Sequence, residues 1–182
     1  MAHSLIFPTH VSAEIVEIGP NEQGFKPGMI VTCNPYFNCG HCYSCRRGLV
    51  NCCTDNQTMG VQREGAFAEY ITMPIERLCD GKGLPAKTLA LIEPFCISYH
   101  GVSRADVKAG EKVLIIGAGT IGMLAALAAK QKGAQVYISD IAQGKLDYAK
   151  QFGINTLLND SPEHFEQQVK KITNGDGFDV AI

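Results

Sequence analysis

Five of the eight cysteines fall within one short segment, and four of them have the spacing of a metal site. Cys39, Cys42, Cys45 and Cys53 let three thiolates from one tight loop and a fourth from its far side surround a tetrahedral ion. Zinc is the expected ion, and because four sulfur ligands leave no position for water or substrate, the predicted site is structural rather than catalytic. An iron-sulfur cluster, or surface thiols without metal, are the alternatives.

The remaining cysteines are predicted to stay outside this site. Cys52 precedes Cys53 directly, and adjacent side chains point in different directions, so both are not expected to bind the same ion. Cys33, Cys79 and Cys96 are isolated, and we expect them to be small buried residues.

A second pattern, Gly117-Ala118-Gly119-Thr120-Ile121-Gly122, predicts a nucleotide site because it follows an apolar strand and opens a helix. Gly117 would make the tight turn, Gly119 would let the backbone approach a pyrophosphate, and Gly122 would allow close packing of helix on strand. Thr120 and Ile121 would lie at the helix N-terminus, which attracts phosphate charge. An ordinary turn between strand and helix is the alternative.

Asp140 ends the next apolar strand, where a carboxylate can bind the adenosine ribose. The same charge would repel a 2'-phosphate, so NAD is predicted rather than NADP. Lys145 could also reach the ribose, or it could be a solvated helix lysine.

The elements that position these residues change character near residue 105. Before that point, short apolar runs at 13–18, 30–34 and 67–72 are separated by Gly, Pro and Asn, which is typical of small strands and turns. After it, strands and helices alternate, which predicts an α/β fold with a parallel sheet. The predicted elements are strands at Lys112–Ile116, 135–139, 156–158 and from Phe178, with helices at 121–132, 143–152 and Pro162–Thr173.

Composition removes several classes of function. Of the 182 residues, 46% are hydrophobic and 19% are charged, which is typical of a globular protein rather than a disordered one. A net charge of -2 gives no basic field for nucleic acid or anionic lipid, and a zinc-knuckle nucleic-acid binder is disfavoured for the same reason. With no apolar run of membrane-spanning length and no signal-peptide pattern, we expect a cytoplasmic protein without a membrane partner.

The cysteine cluster followed by the glycine motif resembles the medium-chain zinc dehydrogenase family, which includes alcohol, sorbitol, threonine and sugar-acid dehydrogenases. The resemblance covers nearly the whole chain and also supports the choice of Cys53 as fourth ligand. It implies a partial GroES-like β-barrel domain at 1–105, a partial Rossmann domain at 106–182, and hydride transfer between an alcohol, polyol or sugar acid and NAD. The supporting segments are Val16-Glu17-Ile18-Gly19, Phe25-Lys26-Pro27-Gly28, Gly65-Ala66-Phe67-Ala68-Glu69-Tyr70 and Ala90-Leu91-Ile92-Glu93-Pro94.

The resemblance also implies a second, catalytic zinc that polarises the substrate oxygen. Glu93 matches a position where the polyol and sugar branch places a carboxylate at or beside that zinc; the alternative is a buried hydrogen-bonding carboxylate. An ungapped match puts Pro8-Thr9-His10 at the family's Gly-His-Glu, so His10 matches the family histidine only through a one-residue deletion. His100 lies where the family brings a helix toward the cofactor, and packing is its alternative role.

The family's Cys-Gly-x-Asp segment would lie before Met1, and the last residues open a strand, so we expect a fragment of a longer enzyme. The missing half normally supplies nicotinamide contacts and dimer-forming strands. We therefore expect weak NAD binding, no turnover, and homo-oligomers only for a complete chain. The alternative is a truncated, noncatalytic zinc- and nucleotide-binding remnant.

Overall fold

The structure is a computed structural model that describes residues 10–182, and the chain divides into two compact units, Met1–Glu93 and Pro94–Ile182. Pro8 and Thr9 of the predicted histidine motif lie outside the described residues. The sequence predicted this boundary between residues 105 and 106, which is later in the chain, just after the end of the helix Ile92–Arg104. The sequence pattern changes only where that helix ends, so it could not assign the helix to either side.

The first unit is built from short strands and tight turns. A three-stranded antiparallel sheet has the order β1-β2-β5, and a separate antiparallel pair joins β3 to β4. Val31, on the central strand, lies opposite Ala13 on one side and Asp80 on the other. The elements are β1 Ala13–Glu14, β2 Ile30–Cys33, β3 Tyr36–Phe37, α1 Tyr43–Arg46, β4 Gln57–Thr58, β5 Leu78–Asp80 and α2 Ala86–Leu89, with short 3-10 turns at Val50–Cys52 and Ile75–Arg77.

The apolar run at 67–72 was predicted to be a strand, and this was wrong. The segment has no regular structure, and Phe67 and Tyr70 are 80% and 69% exposed. Residues 68–72 and residues 11–19 line an open groove of about 1030 Å³. A strand requires a partner for its backbone N–H and C=O groups, and apolar composition alone does not supply one.

The predicted burial of the isolated cysteines is confirmed for Cys33, which is 7% exposed, but was wrong for Cys79 and Cys96, which are both exposed. Cys79 lies opposite Thr32 on the edge strand β5. In this sheet the central strand β2 has a neighbouring strand on each side, whereas β5 has one on a single side. Cys96 lies on the helix Ile92–Arg104, whose buried positions are Pro94, Ser98 and Val102. These positions leave Cys96 on the solvent face.

The second unit is an alternating α/β structure, as predicted. Its four strands are all parallel, in the order β8-β7-β6-β9, so the first strand of the unit lies in the interior of the sheet. This is the order of the first four strands of a Rossmann fold. After α3 (Ile92–Arg104) the elements are β6 Lys112–Ile116, α4 Thr120–Gln131, β7 Gln135–Asp140, α5 Gln143–Lys150, β8 Asn155–Leu158, α6 Pro162–Thr173 and β9 Val180–Ala181.

The core of this unit lies between the sheet and its helices. Val113, Ile115 and Ile138 are at most 1% exposed, and each such side chain stabilises the fold by roughly 1.5–3 kcal/mol on burial. Ala126 and Ala129 of α4 are fully buried, and their small side chains let the helix lie close to the sheet. This close packing fixes the start of α4 relative to the end of β6.

Local signals set the ends of α6. The Ser161 side chain accepts a hydrogen bond from the backbone N–H of His164 at 3.2 Å, and Pro162 occupies the first helical turn. Asn174 ends the helix in the left-handed conformation, with φ of 55°. Among residues 10–182, no helix is both long and apolar enough to cross a bilayer.

Candidate zinc and nucleotide sites

The structure brings together the sulfur atoms of Cys39, Cys42, Cys45 and Cys53, which all lie within 4.8 Å of one another. A tetrahedral zinc with Zn–S bonds of 2.3 Å requires sulfur atoms about 3.8 Å apart, so the cluster fits one such ion. Cys52 is exposed, and its sulfur accepts a hydrogen bond from the Asn51 side chain at 3.5 Å.

Backbone N–H groups inside the loop point at these sulfurs. Cys53 accepts from the N–H of Cys39 at 3.3 Å, Cys39 from that of Cys42 at 3.3 Å, and Cys42 from that of Cys45 at 3.4 Å. The N–H groups of Cys45 and Thr54 lower the pKa of the Cys42 thiol from 9.0 to about 5. These hydrogen bonds therefore favour the thiolate form of Cys42, which is the form that binds metal.

Two polar residues beside this cluster were missed from the sequence. The side-chain amide of Asn38 lies 3.7 Å from the Cys45 sulfur, and Arg77 donates to the Asn38 side-chain oxygen at 2.8 Å. Asn38 directly precedes Cys39, which could have drawn attention to it. Arg77 lies 39 residues further along the chain, and no spacing rule connects it to the loop.

The glycine motif forms the turn between β6 and α4. Gly117 has φ of 99°, a backbone conformation that residues with a side chain rarely adopt. A Cβ at Gly119 would meet no atom within 4 Å. Gly119 caps α4, so the N–H groups of Thr120 and Ile121 begin the helix beside this open space. A Cβ at Gly122 would lie 1.8 Å from the carbonyl oxygen of Gly117.

Asp140 lies at the end of β7, with its side chain 8% exposed. Its carboxylate accepts hydrogen bonds from the N–H groups of Ala142 and Ala118, both at 2.8 Å, and these bonds lower the pKa of Asp140 below its ordinary value. Lys145 lies 3.5 Å from the same carboxylate. Because each carboxylate oxygen has two lone pairs, the Asp140 side chain keeps acceptor capacity for a hydroxyl group. Ile141 follows with 79% of its surface exposed, and the sequence reasoning assigned it no role.

Glu93 is the centre of a smaller polar cluster in the first unit. Its carboxylate lies 2.9 Å from Nδ1 of His10 and accepts a hydrogen bond from the Tyr36 hydroxyl at 2.8 Å. Among the described residues, no third metal-binding side chain gathers with His10 and Glu93, so these residues do not make up a complete zinc site. His100 lies in α3 in the second unit and is exposed.

Known families match most of the chain. Residues 3–83 match the family model described as the alcohol dehydrogenase GroES-like domain, and residues 120–182 match the one described as zinc-binding dehydrogenase. The GroES-like and Rossmann-like arrangement expected from the sequence is thereby confirmed.

Individual relatives agree with these matches. L-galactonate-5-dehydrogenase of Escherichia coli K12 is 38% identical over 160 residues, which are 88% of this chain and 47% of that protein. L-threonine 3-dehydrogenase of Pseudoalteromonas translucida is 36% identical over 171 residues, which are 93% of this chain and 50% of that protein. The chain thus spans about half the length of the curated relatives it matches.

Solved structures show the same likeness. An NAD-dependent alcohol dehydrogenase superposes with a TM-score of 0.88 and 29% identity, covering 100% of this chain and 54% of that one. A Sinorhizobium meliloti 1021 protein solved with NADP bound superposes with a TM-score of 0.84 and 29% identity, covering 95% of this chain and 52% of that one. Both cofactors therefore occur among proteins of this fold.

Proposed function

The chain belongs to the medium-chain zinc-dependent alcohol dehydrogenase family. We propose that it is part of an oxidoreductase that transfers hydride between a small alcohol and NAD. The relatives named for L-galactonate and L-threonine support a polar secondary alcohol, a polyol or a sugar acid as substrate. When bound, NAD would supply the hydride acceptor for oxidation of that alcohol.

The observation that carries the choice of NAD is the position of Asp140 beside the glycine turn. Its carboxylate accepts the N–H of Ala118, inside the motif, so a ribose held by Asp140 would lie beside a pyrophosphate held by the glycine turn. The low pKa of Asp140 keeps the carboxylate ionised throughout the neutral range. A 2'-phosphate would bring a second negative charge against this carboxylate and be repelled by it. Lys145 offsets only part of the charge of Asp140.

Different residues of the chain would contact different parts of the bound cofactor. Gly117 turns the backbone, the open space at Gly119 admits the pyrophosphate, and the first N–H groups of α4 donate to it. Asp140 orients the ribose through its hydroxyl groups. The exposed side chain of Ile141 would then lie against the adenine ring.

Zinc at Cys39, Cys42, Cys45 and Cys53 would act in folding. Four thiolates complete its coordination, so the ion would hold the loop together and would not contact substrate. The described residues do not complete a second zinc site, so no chemical step is derived through one. Glu93, which contacts His10 and Tyr36, is proposed to lie at or beside the catalytic zinc of the whole enzyme.

The discrimination between NAD and NADP tests this function directly. The 182-residue chain is titrated with each cofactor by calorimetry, beside the variants Asp140→Ala and Asp147→Ala. We expect the unchanged chain to bind NAD about tenfold more tightly than NADP, equivalent to about 1.4 kcal/mol. Asp140→Ala should remove most of that preference.

Asp147→Ala is the matched control, because Asp147 is an exposed carboxylate on the neighbouring helix that pairs with Lys150. It should leave the ratio of the two affinities unchanged. Equal affinities in the unchanged chain, or an unaltered ratio in Asp140→Ala, would refute the assignment of NAD.

Turnover separates this function from the noncatalytic alternative. Both predict zinc and NAD binding, and only the enzyme predicts NADH formation from a panel of polyols, sugar acids and amino-acid alcohols by the whole protein. We further propose a cytoplasmic location, since the cysteine ligands must stay reduced to bind metal. A homo-oligomer is proposed only for the complete chain, as the family resemblance implies.

A further inference from the structure

The Cys45 sulfur differs from the other three in the group that donates to it. Backbone N–H groups of the loop donate to Cys39, Cys42 and Cys53. Among the described residues, Cys45 accepts from a side chain, the amide of Asn38, at 3.7 Å. The hydrogen bond to this sulfur therefore depends on how that amide is oriented.

Arg77 fixes the orientation of the Asn38 amide. An asparagine side chain can present either its oxygen or its NH2 group in a given direction. A guanidinium group has only donors, so the contact of 2.8 Å from Arg77 must be made to the Asn38 oxygen. The NH2 group is then left to point toward the Cys45 sulfur.

Arg77 is itself held in place. Its guanidinium lies 5.6 Å from the centre of the Phe37 ring, and that of Arg63 lies 3.9 Å from the same ring. The backbone carbonyl of Arg77 accepts the N–H of Asn34 at 2.8 Å. The side chain thus begins from a fixed point of the backbone and packs along the residue that precedes Asn38.

We propose that Asn38 and Arg77 are positioning residues that set the metal affinity of the four-cysteine site through the Cys45 thiolate. Four thiolates around a divalent ion carry an excess of negative charge, and N–H donors to sulfur disperse it. At Cys45 this donor comes from outside the loop, with a positive charge behind it. The inference rests on the proposed zinc at this site.

The test uses the full 182-residue chain and three variants, Asn38→Ala, Asn38→Asp and Arg77→Met. Each protein is loaded with zinc, and its affinity is measured by competition with a chromogenic chelator. We expect Asn38→Ala to lose about tenfold in affinity, at the low end of the effect of outer-shell partners. Asn38→Asp should lose more, because it keeps the Arg77 contact and turns a carboxylate toward the thiolate, and Arg77→Met should lose less.

Cobalt loading gives a readout that a merely structural role would not move. A donor to sulfur lowers the energy of the lone pair that gives rise to the thiolate-to-metal band. Removing the Asn38 amide should therefore shift this band to longer wavelength, with the same cobalt stoichiometry. Asn51→Ala is the matched control, since it removes an amide that donates to Cys52, a cysteine outside the site.

The outcomes are distinguishable. Unchanged affinity and an unmoved cobalt band in Asn38→Ala would overturn the role of Asn38, as would an equal loss in Asn51→Ala. A shift in both Asn38 variants, with a smaller one in Arg77→Met, would support it. If the unchanged chain bound neither zinc nor cobalt, the metal assignment would fail and this inference with it.

Discussion

Replacement of Gly122 by alanine should disrupt the turn between β6 and α4. The added Cβ would lie 1.8 Å from the carbonyl oxygen of Gly117 and 3.0 Å from its carbonyl carbon, whereas real Cβ atoms essentially never come within 3.0 Å of another heavy atom. Both contacts are with backbone atoms, so no side-chain rotation relieves them. Either the start of α4 or the turn at Gly117 must move by more than an ångström.

The expected magnitude combines two opposing effects. Alanine in a helix is more favourable than glycine by about 1 kcal/mol. Overpacking typically costs about 1–3 kcal/mol, and a backbone contact belongs at the upper end. We therefore expect a net loss of about 2 kcal/mol in the free energy of unfolding. NAD affinity should fall at least tenfold, because the same carbonyl belongs to the turn that would hold the pyrophosphate.

The assay is urea unfolding followed by circular dichroism, together with calorimetric titration of NAD. Gly144→Ala is the matched control, because Gly144 also lies in the first turn of a helix and a Cβ there would meet nothing within 4 Å. It should stabilise the chain by about 0.5–1 kcal/mol through helix propensity and the unfolded state. If Gly122→Ala were as stable as Gly144→Ala and bound NAD normally, the close approach of helix and turn would be refuted.

Two further predictions concern the first unit. Gly81→Ala should destabilise it by about 1–3 kcal/mol in urea unfolding, because the added Cβ would lie 2.5 Å from the carbonyl oxygen of Ile30. Gly19→Ala is the control and should have little effect, because a Cβ at Gly19 would meet nothing within 4 Å. Equal effects of the two variants would contradict this reasoning. Burial raises the pKa of the Cys33 thiol to about 11, so this thiol should resist iodoacetamide at pH 8 while exposed Cys52 reacts in metal-free protein, as peptide mass spectrometry would show. Because the folded pKa is raised, stability should also fall as the pH rises from about 9 toward 11, and Cys33→Ala should remove this dependence.

The second unit could be predicted closely because its signals are local. The strand Lys112–Ile116 and the helix Pro162–Thr173 were predicted with the bounds that the structure shows. The apolar strand, the glycine turn and the Ser161 cap each act over a few residues, so a reader of the sequence can recognise them separately.

The first unit was predicted less well, because its features depend on distant parts of the chain. The segment 67–72 has strand composition and no partner strand among the described residues, and Cys79 is exposed because β5 lies at a sheet edge. The four-cysteine cluster could be found because its ligands are close in sequence. The contact of Arg77 with Asn38 could not, since it depends on how a later turn folds back onto the loop.

The compactness of the cysteine loop has a consequence for the order of events during synthesis. All four sulfur atoms come from residues between Cys39 and Cys53, and backbone N–H groups of Cys39, Cys42 and Cys45 donate to three of them. Closing so short a loop costs little chain entropy, and the ribosome releases this segment before it has made the glycine turn. The ligands of the proposed metal site would therefore be available before the nucleotide turn has been made.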